Sequence, residues 1–137
     1  MARVLHTFIK RKWTLCAIAL IVPLGFYTKL YAGPASEWVN NSLGGILYVL
    51  FWCLVFSFVF NKAKSGSIVL IVFTATCALE FLQLWHPPLL ESIRATFLGA
   101  TLLGNSFTWW DLLHYCIGAL LALVVLNMLR SQEESKA

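Results

Sequence analysis

Charge is the scarce ingredient of this sequence. Only 12% of its 137 residues are Asp, Glu, Lys or Arg, against about a quarter in a typical soluble domain. With 60% hydrophobic residues and a mean hydropathy of +0.79, the expected solvent is lipid. No long polar block exists from which a separate soluble domain could be built, because the longest connection between apolar runs, 86–111, is itself half apolar. The four cysteines, Cys16, Cys53, Cys77 and Cys116, fall one in each apolar run with no C-x-x-C pair. That spacing excludes a disulfide or metal framework and leaves them as small packing residues. His86, His114, Glu80 and Asp111 are metal-ligand types, but neither H-x-x-H nor H-E-x-x-H occurs, so no metal or other cofactor is expected. A Ser or Cys nucleophile motif, a phosphate-cradling glycine loop and a heptad repeat are also missing. The net charge of +4 is carried by short basic clusters that flank apolar runs, which argues against nucleic acid.

Four apolar runs are present, giving spans of about 13–31, 43–60, 68–85 and 109–129. Each is close to the roughly 20 residues that cross about 30 Å of hydrocarbon. The expected fold is all-α and integral to a membrane: one domain over 1–137, four transmembrane helices, and a solvated tail at 130–137. Eight of the ten basic residues, Arg3, Lys10, Arg11, Lys12, Lys62, Lys64, Arg130 and Lys136, fall on one side if the spans alternate, and Lys29 and Arg94 on the other. The positive-inside rule then makes both termini and the 61–66 turn cytoplasmic and turns 32–42 and 86–108 outward. The basic head before the first run resembles a signal peptide, but the length of the run favours a retained helix, kinked near Pro23. Tyr31 and Trp38 read as interfacial anchors, Ser36 as the cap of a short turn, and Gly44-Gly45 as a point of close helix approach.

Polar residues concentrate in 80–115. This stretch holds Glu80, Gln83 and His86 at intervals of three on the third helix, then Pro87-Pro88, which end that helix. An amphipathic 89–98 segment with Arg94 follows, expected to lie in the interface or re-enter among the helices. The fourth helix opens with Asp111, His114, Tyr115 and Gly118 on one face. Glu80 lies about 7–8 Å inside its helix end. At that depth an ionisable group calls for a partner or for water. The nearest candidates are Arg94, His114 and Tyr115, with Glu80 and Arg94 as the expected charge pair. Glu80, Gln83, Arg94, Asp111, His114 and Tyr115 are therefore the expected ligand-binding residues, and no catalytic residue is assigned.

The pattern E-F-x-Q, then an arginine before a T-x-L-G-type segment, then F-x-W-x-D-L-x-x-Y-x-x-G, resembles a small bacterial integral-membrane family of unknown function. That family is related to the VanZ-like proteins linked with glycopeptide resistance. The resemblance covers most of the chain after Gly33. Against the VanZ-like D-x-x-D-x-x-x-N-x-x-G, Asp111 and Gly118 match, as do Glu80 and Gln83 upstream, while Thr108 and Tyr115 replace the first Asp and the Asn. The resemblance implies a multi-pass protein of the bacterial inner membrane and no specific activity. The expected function is an outward-facing polar pocket for a lipid headgroup or envelope small molecule. Two other readings stand beside it. One is a structural or assembly subunit, self-associating or part of a membrane complex, whose polar cluster only fixes helix packing. The other is an acid–base enzyme using Asp111 and His114 on a lipid-linked substrate.

Overall fold

The computed structural model describes residues 11–135. Arg3, Lys10 and Lys136, three members of the basic asymmetry, lie outside them. Among the described residues there is no strand, and the chain forms six helices. These are α1 (Lys12–Leu30), α2 (Ser36–Val59), α3 (Ser65–Leu82), α4 (Pro88–Arg94), α5 (Phe97–Leu103) and α6 (Trp109–Ser135). Four of them, α1, α2, α3 and α6, are long and apolar enough to cross a membrane, which gives the chain the build of a multi-pass membrane protein. Helices suit that setting because every mid-segment N–H and C=O is satisfied within its own segment. Large apolar side chains on the outer faces, such as Leu20, Leu70 and Leu120, are correspondingly exposed.

Several boundaries differ from the expected spans. The second helix begins at Ser36 rather than 43, because Val39–Leu43 forms a π-helical turn that joins Ser36–Trp38 to Gly44–Val59 without a break. Ser36 does not cap it; that position falls to Ala35, in the left-handed conformation at φ 57°. The helix of α1 runs on through Pro23. The third helix closes at Leu82 in a turn of i→i−3 bonds, from Gln83 N to Glu80 O and from Trp85 N to Leu82 O, the tightening common at helix ends. The 86–108 connection holds two short helices in place of one, broken at Ala95-Thr96 because the Thr96 hydroxyl accepts from Gly99 N at 3.0 Å and starts α5.

In the tail, residues 130–135 continue α6 through Ser135; Ser131, Gln132, Glu134 and Ser135 are exposed, as expected of a solvated segment, while Glu133 is docked. Its carboxylate accepts from Thr14 Oγ1 at 2.7 Å and from Arg11 Nε at 3.4 Å. Arg11 also donates to the carbonyls of Ser57 and Phe58, and Arg130 reaches Ser57 Oγ at 3.4 Å. A polar clamp thus ties α1, α2 and α6 at the end of the bundle where α6 finishes, here called the tail end. The opposite, cap end is covered by α4 and α5.

Helix α2 is the central element and packs on α1, α3 and α6, with α3 also along α6. Val49, Leu50, Cys53 and Leu54 of α2 meet Ile68, Val69 and Val72 of α3 and Ala119, Ala122 and Leu126 of α6. Gly118 allows the close approach of α6 to α2. A Cβ there would sit 2.9 Å from the Ile46 carbonyl oxygen, below any normal contact. Of the cysteines only Cys53 packs in this core. Cys77 is half-buried, whereas Cys16 and Cys116 are exposed on the bundle surface and do not act as packing residues within this fold. Helix α1 is the loosest member: its only fully buried residues are Thr14 and Thr28, near its two ends. Between those ends it leaves room beside α3.

Candidate functional site

That room is a cavity of about 550 Å³ at the cap end, walled by α1, α2, α3 and α6 and roofed by α5 and the 104–108 loop. Its two ends differ chemically. Glu80, Gln83, Asp111, Tyr115, Lys29 and Tyr48 face it toward the cap, Phe26 stacks on Phe97 of the roof with ring centroids 6.0 Å apart, and Ile21, Leu47 and Phe51 continue it inward. From Lys29 to Ile21 along α1 is about 12 Å of helix rise.

Glu80 is the fixed point of the polar end, only 1% exposed. Its Oε2 accepts from Tyr115 Oη at 2.8 Å and from Gln83 Nε2 at 3.0 Å, and its Oε1 from the backbone N–H of Thr108 at 3.2 Å. Tyr115 arrives from α6, Gln83 from the end of α3 and Thr108 from the roof loop. One carboxylate therefore holds three segments together. The loop can reach it because Gly104 takes φ +70° and lies directly on the Gln83 amide, where a Cβ would be 2.4 Å from Nε2. Phe81, Phe107 and Trp109 cluster around the same loop, with Phe107 and Trp109 edge to face and their centroids 4.9 Å apart. Asp111 stands one helical turn before Tyr115. Its carboxyl is in hydrogen-bond contact with that of Glu80, and the charged groups that act on it are His114 and Lys29. Lys29 Nζ is anchored by Asn40 O at 3.1 Å.

The six expected site residues divide. Glu80, Gln83, Asp111 and Tyr115 share the cavity. His114 lines an adjoining, shallower recess of about 450 Å³ with Asp111, Glu37 and Trp38, and its Nδ1 is bonded to Trp110 O of its own helix at 2.7 Å. Arg94 faces neither, and the expected Glu80–Arg94 pair is not formed. Arg94 is instead the C-terminal cap of α3, donating to Leu82 O and Trp85 O at 3.0 Å each and to Glu91 Oε1 at 2.8 Å. The carbonyls left open where Pro87-Pro88 stop the helix attract a cation, and they lie nearer in sequence than the Glu80 carboxylate. Glu91 is clasped from both sides, and hydrogen bonds from His86 and then Arg94 hold its carboxyl below the ordinary glutamate range.

Lys29, Tyr48 and the Thr108 N–H were missed by sequence reasoning. Lys29 did carry a signal, being one of two basic residues on the minority side of the charge asymmetry. A backbone donor such as Thr108 N carries none. Among the described residues, no three His, Cys, Asp or Glu side chains gather in a way that would hold a metal.

These features coincide with a family boundary. Residues 34–119, well over half the chain, match the DUF2809 family, described as a protein of unknown function, and the chain belongs to that family. The matched stretch contains Glu80, Gln83, Asp111, Tyr115 and Gly118, and it brings no link to the VanZ-like proteins. No solved structure matches the chain.

Proposed function

We propose that the chain is a binding protein of the bacterial inner membrane, and that its cap-end cavity holds the polar head of a lipid or of an envelope-linked small molecule. The observation that carries this reading is the cavity itself: about 550 Å³, charged at one end and apolar at the other. Pockets of a few hundred to a thousand Å³ with a few placed polar groups are the usual form of small-molecule sites. In this reading the cap end faces outward, as the positive-inside rule favours, and α4 and α5 lie in the outer interface. The exposed Leu89, Ile93, Leu98 and Leu102 would then rest among lipid headgroups and upper acyl chains.

The packing-subunit reading has one observation in its favour, the full set of donors around Glu80. The tail-end clamp at Arg11 and Glu133, however, already ties α1, α2 and α6 together. The acid–base reading is the weaker, since His114 spends its Nδ1 on Trp110 O.

Gly25 provides the test. It lies in the cavity wall, and a Cβ there meets nothing within 4 Å, so Gly25→Phe should fill the space without collision. A ligand at about a hundred times its Kd stabilises by about 2.7 kcal/mol. Titrating a bacterial polar lipid extract into the detergent-purified protein should raise the Tm of the wild type and leave that of Gly25→Phe unmoved. The ligand-free Tm of the variant should be equal or higher. Equal lipid response in both proteins would reject the cavity as the binding site.

A further inference from the structure

One buried acceptor at the polar end of the cavity has no donor. The hydroxyls of Tyr48, Thr76 and Tyr115 all donate to protein acceptors, namely Leu102 O at 2.8 Å, Val72 O at 2.8 Å and Glu80 Oε2 at 2.8 Å. Gln83, only 6% exposed and in the cavity wall, has an amide oxygen with no partner at all. Buried acceptors without a donor are uncommon and costly, so an orphan amide oxygen beside the Glu80 and Asp111 carboxyls marks a place for N–H groups. Two carboxylates, Glu80 and Asp111, are set against a single cation, Lys29. A group that brings both hydrogen-bond donors and positive charge complements that surplus. Lys29 spends one of its three donors on Asn40 O, which leaves two for an anion. Further inward the wall is hydrocarbon.

We infer that the ligand is an amphiphile with a zwitterionic primary-amine head. Its ammonium lies against Asp111 and Glu80 near the Gln83 amide oxygen, its phosphate meets Lys29, and its hydrocarbon runs inward past Phe51 and Ile21. An aminophospholipid of the phosphoethanolamine type has this chemistry. A quaternary choline head has the charge but no N–H, and a glycerol head has neither the charge nor the N–H. The inference deepens the headgroup-binding reading and rests on it.

Three phospholipids with identical acyl chains separate the possibilities: phosphatidylethanolamine, phosphatidylcholine and phosphatidylglycerol. Each is titrated into the detergent-purified full chain, with binding read by native mass spectrometry and by Tm. Phosphatidylethanolamine should bind about tenfold or more tightly than either of the others, the difference expected when charge-assisted hydrogen bonds are lost. Asp111→Asn should narrow that gap to a few-fold, and a cooperative melt at a ligand-free Tm close to that of the wild type shows that the variant is folded. Gly25→Phe should abolish all three. Equal affinity for the three lipids would overturn the amine assignment while leaving headgroup binding intact. Failure of all three to bind would overturn both. Water-soluble O-phosphoethanolamine, added at the same concentrations, should bind far more weakly than the lipid; equal binding would overturn the amphiphile and make the ligand a small solute.

Discussion

Glu80 is the residue on which the cap end depends, because a carboxylate at 1% exposure persists only with donors on its oxygens. Those donors come from Tyr115, Gln83 and Thr108. Tyr115→Phe deletes one of them and nothing else, so it should destabilise by about 1–3 kcal/mol. In a double-mutant cycle with Glu80→Gln the two changes should couple by more than about 0.5 kcal/mol, because they share one hydrogen bond. Glu80→Gln and Arg94→Gln should instead add, since Arg94 bonds α3 carbonyls and shares no partner with Glu80. Denaturant titration in mixed micelles reads all of these, and strong Glu80–Arg94 coupling would contradict the geometry. The sequence exposed the depth of Glu80 and its need for a partner. It did not reveal which partner, because charge complementarity ranks Arg94 first, whereas the open carbonyls at the end of α3 are backbone groups with no letter of their own.

Elements are tied together at both ends of the bundle by polar side chains, and the two ties differ in their exposure to solvent. At the tail end Arg11 and Glu133 have side chains 8% and 11% exposed. Removing one partner of a buried ion pair leaves the other uncompensated, at a cost of about 3–5 kcal/mol. Glu133→Ala should accordingly lower the Tm and fray the last turns of α6, seen as faster amide exchange over 130–135. An unchanged exchange pattern there would mean that α6 holds that end without its carboxylate. At the cap end the clasp of α4 by His86, Glu91 and Arg94 is open to water. The Glu91 pKa is lowered in the fold, so its contribution is full above the ordinary glutamate range and is lost as pH falls through the lower folded value. A carboxyl-carbon NMR titration should place the Glu91 midpoint below that of an unstructured glutamate, and Arg94→Gln should move it back up. The four long helices were legible as apolar runs, and so was the stop at Pro87-Pro88. The helical extension through Ser135 was not, because R-S-Q-E-E-S is polar and gives no sign that Glu133 finds Thr14 and Arg11 more than a hundred residues away.

Taken whole, the molecule is polarised along its length, with a closed, basic-rich clamp at one end and an acidic cavity beneath a roof at the other. Which side of the membrane each end faces decides which leaflet can supply the cavity, and the charges outside the spans bear on that directly. Lys62 and Lys64 sit in the turn between α2 and α3 at the tail end, together with Arg11, Lys12 and Arg130, while the cap end offers Lys29 and Arg94 alone. Both of those are engaged, Lys29 by Asn40 O and Arg94 by the end of α3, which weakens them as signals. Loops rich in Lys and Arg stay cytoplasmic. A reporter fused after Lys136 or inserted at 61–66 should read cytoplasmic, and one inserted near Ser36 should read external. Neutralising Lys62 and Lys64 while adding lysines beside Ser36 should shift part of the population to the opposite orientation. An external C-terminus in the unaltered chain would invert the molecule, and the cavity would then draw its ligand from the inner leaflet through the same residues.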